Sequence, residues 1–260
     1  YFMSINTGLQ NQYVVYIMRG SLDAKPTVFL DPNTLSEDGT VSLSSYTNEF
    51  SKDGKWFAYA LNSAGSDWAT LKIKNVDTGE DLAEELKRLK FSTVAWTHDN
   101  KGFFYSAYSE SGDGTETKSN EFQKLYYHRL GTSQSDDIIV YERPDNPHYR
   151  FTSVVSDCGH YLHVYTNQTC EYNLWHYHRF DDPLHPNITG SLRLEPVVEE
   201  FVSDIYYVTN DGARTYFRTN NRASNYRLSV ISNISDAASR DISKWTDLIA
   251  EHPHDVLESV

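Results

Sequence analysis

Four turn clusters at nearly regular spacing limit what this chain can fold into. They are Asp53-Gly54, Asp99-Asn100, Asp157-Cys158-Gly159 and Asp211-Gly212, and the steps from Gly54 to Asn100, Gly159 and Gly212 are 46, 59 and 53 residues. Asp, Asn and Gly accept the positive φ that tight hairpin turns require. An aromatic run follows each cluster: Trp56-Phe57-Ala58-Tyr59, Phe103-Phe104-Tyr105, Tyr161 to Tyr165, and Thr215-Tyr216-Phe217. A second run then repeats, at Leu71 to Val76, Leu125 to Leu130, Leu174 to Arg179 and Tyr226 to Ile231, with an earlier copy at Tyr13 to Ile17. Shorter apolar segments close the units at Val28 to Leu30, Ile138 to Val140, Val197-Val198 and Leu248-Ile249. The stretch from Phe91 to Tyr108 shows the pattern best, with two strands joined by turn material from His98 to Gly102.

A period near fifty with four short strands per unit is the signature of a β-propeller blade. One blade cannot bury both faces of its sheet, whereas neighbours stacked around an axis bury both. The expected fold is therefore all-β, a propeller of four-stranded blades. Residues 1–260 hold about five blades, so either a small propeller closes here or a larger one has been truncated. The chain opens directly on strand-like Tyr1-Phe2-Met3, as a piece of a longer protein would, and Val256 to Val260 reads as the start of another blade. One closing element departs from the pattern. Leu82, Leu86 and Leu89 recur at helical spacing, which predicts a helical turn between Asp81 and Lys90. A weaker helical pattern runs from Ser235 to Leu248.

Composition supports sheet and narrows the partners. Aromatic residues make up 14% of the 260 residues, and they suit a pleated, half-buried surface. The formal net charge is -13, which repels phosphate backbones and argues against nucleic acid. No apolar run is long enough to span a membrane as a helix, and no signal peptide is present. Two cysteines, Cys158 and Cys170, are too few for a disulfide framework and read as reduced thiols of a cytosolic protein.

Catalytic signatures are missing. There is no Gly-x-Ser-x-Gly elbow, no glycine-rich phosphate loop and no His-Glu-x-x-His. Histidines occur in pairs, at His160 and His163, His176 and His178, and His252 and His254, without the three or four converging ligands of a metal site. No metal or cofactor is expected, and the chain is expected to complete no reaction alone. The polar stretch from Ser109 to Gln123 is long for a connection in a compact domain and is a candidate functional loop.

Several strings resemble the propeller of prolyl oligopeptidase. They include Phe29-Leu-Asp-Pro-Asn33, Leu35-Ser-Glu-Asp-Gly-Thr40, Ser63-Ala-Gly-Ser-Asp-Trp68, Lys90-Phe-Ser92, Ala95-Trp-Thr-His-Asp99, Asp113-Gly-Thr-Glu-Thr117 and Lys124-Leu-Tyr-Tyr-His128. The match runs nearly end to end and is weakest from His160 to Ser203. The resemblance implies a seven-bladed propeller lying as a lid on an α/β-hydrolase domain that is not in this chain. That domain supplies a Ser-Asp-His triad cleaving short peptides after proline. The implied parent is a cytosolic, metal-independent monomer. The resemblance also implies outer substrate contacts at Phe91, Cys170, Arg150 and Asn167, and an interface acid at Asp67. Arg150 replaces a residue that is apolar in the family, and Asn167 stands where a cation is common. Ser109 to Gln123 matches a loop that would gate substrate entry. The alternatives are a non-enzymatic propeller scaffold and a peptide macrocyclase of the same family.

Overall fold

The computed structural model describes residues 1–109 and 120–260. They form five antiparallel sheets, each a meander in chain order. The first sheet has three strands, β1 (Phe2–Ile5), β2 (Val14–Ile17) and β3 (Thr27–Leu30). The second holds β4 (Val41–Phe50), β5 (Trp56–Ser63), β6 (Ala69–Asn75) and β7 (Asp81–Leu89). The third holds β8 (Ala95–Trp96), β9 (Gly102–Ala107), β10 (Lys124–Arg129) and β11 (Ile138–Tyr141). The fourth holds β12 (Arg150–Val155), β13 (Tyr161–Asn167), β14 (Asn173–Arg179) and β15 (Glu195–Val198). The fifth holds β16 (Ile205–Asp211), β17 (Arg214–Thr219), β18 (Arg227–Ile231) and β19 (Thr246–Ile249). The aromatic runs of the sequence are the second strands, and the runs that follow them are the third.

The core lies between sheets. Four clusters of buried apolar side chains join the sheets pairwise in series, first to second, second to third, third to fourth and fourth to fifth. The second strands of the three middle sheets serve two clusters each. Phe57 and Tyr59 of β5 face the first sheet while Ala58 and Ala60 face the third. Phe103 and Tyr105 of β9 face the second sheet while Phe104 faces the fourth. Both faces of these strands are covered, so their sequences read as continuous apolar runs rather than as an apolar–polar alternation. The first strands β4, β8 and β12 touch one another in series, placing them on the inner side of the array.

A repeated hydrogen-bond device explains the Asp/Asn/Gly clusters. Ser51, Thr97 and Ser156 each donate a backbone N–H five residues forward, to Trp56, Gly102 and Tyr161, at 2.8–3.0 Å. Each also accepts, through its carbonyl, the N–H of Gly54, Asn100 or Gly159, the residue in the left-handed conformation. The turns then tie to the next sheet, for Asn100 Oδ1 accepts from the Asp53 N–H at 3.0 Å, and the Tyr207 hydroxyl accepts from the Asp157 N–H at 3.0 Å.

Three expectations need correction. Asp81 to Leu89 is strand, not helix. Leu82, Glu84, Leu86 and Arg88 turn inward while the residues between them are exposed, a period of two. Glu84 and Arg88 at inward positions hide that alternation, and Glu84 is used there, accepting from the Gly131 N–H at 3.1 Å. The left-handed Arg88 then breaks the register and brings Leu89 inward as well. Between Ser235 and Leu248 the helical pattern amounts to one α turn, α1 (Ala237–Arg240), and a 3-10 turn, after which β19 begins. Val256 to Val260 forms no strand. That segment is held against the fifth sheet by the Leu257 N–H on the Asn225 carbonyl at 2.8 Å and by Arg218 on the Leu257 carbonyl at 2.9 Å.

Candidate functional site

An antiparallel meander has two ends. The turns from first to second and from third to fourth strands lie at one end. The turns from second to third strands and the links between sheets lie at the other, hereafter the link end. Asp67, Phe91, Arg150, Asn167 and Cys170 all fall at the link end. Among the described residues, eight non-glycine residues have positive φ, and only Asn100 belongs to the turn end. Left-handed backbone costs a residue with a Cβ roughly 1–2 kcal/mol.

Phe91 is one of these, at φ 54°. Its neighbours explain why it is held there. The Gln123 Nε2 donates to the Lys90 carbonyl at 2.9 Å, and the Thr47 hydroxyl donates to the Ser92 carbonyl at 2.7 Å. Ser92 Oγ accepts from the Ser106 N–H at 2.8 Å. Lys90 and Ser92 are buried, so the chain is pinned on both sides and Phe91 turns outward, 44% exposed. An exposed phenyl ring on pinned, strained backbone is a costly arrangement for a residue with no task.

Charged groups surround that ring. The Lys90 ammonium lies 5.5 Å from its centroid and the Arg150 guanidinium 5.2 Å. Lys90 is also 5.5 Å from the Trp68 ring and pairs with Asp67 at 3.6 Å. Arg150 donates through Nη2 to the Thr169 carbonyl at 2.8 Å, beside Cys170. Arg150 and Asn167 are direct partners across the β12–β13 ladder. Four of the five residues singled out from the sequence thus converge, Asp67 through Lys90 and Asn167 through Arg150. Cys170 is an exposed free thiol next to this group, linked to it through Thr169.

Phe91 and Asp67 also line a cleft of about 270 Å³ together with Tyr46, Asn62, Lys90 and Ser92. Tyr108 is buried edge-to-face against Trp68 at 5.5 Å. Burial pushes its phenol up to about 12, an effect the positive Arg150 opposes, so Tyr108 stays a neutral hydroxyl. Sequence reasoning missed Trp68, Tyr108 and Gln123. Gln123 carried no local signal at all, because its role is to bridge the Lys90 carbonyl and the Phe151 N–H, the latter at 2.6 Å. Most of the Ser109 to Gln123 loop, residues 110–119, lies outside the described residues.

The histidines go elsewhere. His163 is buried in β13, where its Nδ1 accepts from Trp175 Nε1 at 3.2 Å. Burial pushes it down to about 3, so it is neutral core. Among the described residues no group of three or more His, Cys, Asp or Glu side chains gathers as a metal site would. No helix among them is long and apolar enough to cross a membrane.

Serial four-stranded meanders packed face to face, with a cationic aromatic cluster at the link end, define a β-propeller domain with a candidate binding face. The chain belongs to the prolyl oligopeptidase N-terminal β-propeller family, whose model matches residues 1–260. Prolyl oligopeptidase A of Amanita bisporigera is 36% identical over 250 residues, 86% of this chain and 32% of that protein. The dual function macrocyclase-peptidase POPB of Galerina marginata is 32% identical over 95% of this chain and 35% of that protein. In solved structures, prolyl oligopeptidase B of Galerina marginata bound to a 25mer macrocyclization substrate superposes with a TM-score of 0.82. It is 30% identical, with 96% of this chain and 36% of that one covered. The chain spans about a third of the length of the curated relatives it matches.

Proposed function

We propose that residues 1–260 are the propeller portion of a serine peptidase that cleaves short peptides after proline. The triad lies in an α/β-hydrolase domain outside these residues. The propeller covers the active site, the Ser109 to Gln123 loop gates entry, and Phe91, Arg150, Asn167, Cys170 and Asp67 make outer contacts with substrate or with the hydrolase domain. The whole protein works without metal or cofactor, as a cytoplasmic monomer. The observation that supports this reading is the Phe91 ring, held outward on pinned left-handed backbone at the link end.

The test is cleavage of a fluorogenic proline-containing peptide. Full-length protein should cleave it in a serine-reagent-sensitive way, and residues 1–260 alone should not. Inhibitor-sensitive cleavage by residues 1–260 would overturn the division of labour. A full-length protein inert towards every proline peptide would favour a propeller scaffold instead.

A second reading is supported by the 32% identity to a dual function macrocyclase-peptidase. In that case the same acyl-enzyme is released by a peptide amine rather than by water. Mass spectrometry separates the two outcomes, since a cyclic product is lighter by one water than the linear one.

A further inference from the structure

Arg150 is the least satisfied cation of the link-end cluster. Among the described residues its one hydrogen bond is from Nη2 to the Thr169 carbonyl, Nη1 and Nε meet no acceptor, and no carboxylate pairs with it. A guanidinium presents five N–H donors in a planar fork that matches a carboxylate. Here that fork is parked over an exposed phenyl ring, in a chain with formal net charge -13. Two arginines elsewhere each meet both oxygens of an acid. Arg143 forms a two-pronged contact with Asp145 at 2.8 Å on both prongs, and Arg227 contacts both oxygens of Asp247 at 3.1 and 3.2 Å.

Among the described residues, the cluster around the ring carries two cations, Lys90 and Arg150, and one acid, Asp67. Asp67 contacts Lys90 and leaves Arg150 unanswered. The Phe91 ring supplies an apolar wall on which the methylenes of a substrate side chain can lie, and the open edge of Arg150 supplies the charge at its tip. The backbone on both sides of Phe91 is already fixed, so little ordering cost remains to be met on binding.

We propose that Phe91 and Arg150 form a subsite for an acidic side chain of the peptide, with Arg150 setting specificity for Glu or Asp over their amides. This rests on the peptidase reading above and adds the substrate class to it. No atom of Arg150 takes part in bond breaking. Its effect is on which peptides are held, so it appears as discrimination between substrates rather than as loss of the reaction.

The experiment uses full-length protein and paired proline peptides that differ only by Glu against Gln, scanned along the residues on the N-terminal side of the proline. At one position the Glu peptide should show kcat/KM about tenfold above its Gln partner. Arg150→Met should bring that ratio to about one, with the larger fall in kcat/KM on the Glu peptide. Arg150→Lys should keep part of the preference, because it keeps charge without the fork. In wild-type protein the ratio should also shrink as salt rises to about 0.5 M, a readout that needs no variant to fold. Equal cleavage of Glu and Gln peptides at every position, or a preference untouched by Arg150→Met, overturns this assignment and leaves the peptidase reading standing. Cleavage of no peptide in the set overturns both.

Discussion

The two ends of the sheets handle tight chain reversals differently. At the turn end, the backbone enters the left-handed region at Gly54, Asn100 and Gly159, where a side chain is absent or short and polar. The resulting turns are ordinary, fastened by the Ser51, Thr97 and Ser156 device and by bonds to the next sheet. At the link end glycines such as Gly39 and Gly65 enter the same region, but so do Ala64, Arg88, Phe91, Phe122, Tyr172, Arg222 and Tyr226. Phe91, Phe122 and Tyr172 are each more than a third exposed. Each such residue forfeits stability that glycine would have kept. The turn end is therefore built for stability, and the link end keeps aromatic and cationic side chains displayed despite their backbone cost. That asymmetry, more than any single contact, is what singles out the link end as the candidate binding face.

Breaking the turn end should be expensive. Gly102 begins β9, and a Cβ there would overlap the His128 carbonyl and the Tyr127 ring. Gly102→Ala should cost at least about 3 kcal/mol in denaturant unfolding, or abolish the folded state. A loss below about 1 kcal/mol would show that β9 and β10 can separate and that the end is softer than described. Next in size is a contrast between two acids. Asp137 at the turn end is buried, with His128 Nδ1 at 2.7 Å and the Tyr105 hydroxyl donating to it at 2.6 Å. Asp67 at the link end is 59% exposed at its side chain. Asp137→Ala should cost about 3 kcal/mol, because two buried polar groups lose their partner, and Asp67→Ala under about 1 kcal/mol. Similar losses at the two sites would erase the distinction. The smallest effect carries opposite signs. Gly54→Ala should lower stability by about 0.5–1 kcal/mol, and Ala64→Gly should raise it by a similar amount, both read from denaturation midpoints. Neither position crowds a neighbour, since nothing lies within 4 Å of a Cβ at Gly54 and Ala64 is exposed.

The fold was legible because its signals are local and repeated. Trp56-Phe57-Ala58-Tyr59 and Phe103-Phe104-Tyr105 recur after Asp/Asn/Gly turns, and each of those turns is fixed by bonds within a few residues. Leu82 to Leu89 reads as helical because inward Glu84 and Arg88 break the apolar alternation, and the Gly131 N–H that Glu84 serves lies on another sheet. The site was legible only through the family resemblance of Lys90-Phe-Ser92. Nothing in the local sequence says that Phe91 adopts positive φ, since that conformation is imposed by Gln123 and Thr47 from distant elements. The meeting of Arg150 with Phe91 is likewise a product of packing, for Phe91 lies on the link from the second sheet to the third and Arg150 begins the fourth.

The double duty of β9 has one more consequence. Phe103 and Tyr105 belong to one interface and Phe104 to the next, so neighbouring residues of one strand are sorted to opposite sides by the pleat alone. A single inserted or deleted residue would transpose the contents of both interfaces at once, sending Phe104 into the space shaped for Phe103 and Tyr105. β5 and β13 are sorted in the same way, with Leu162 and Val164 on one side and Tyr161 and Tyr165 on the other. β5, β9 and β13 thus work as parity checks on the alignment of the array, and substitutions within them should be far better tolerated over evolutionary time than changes in their length.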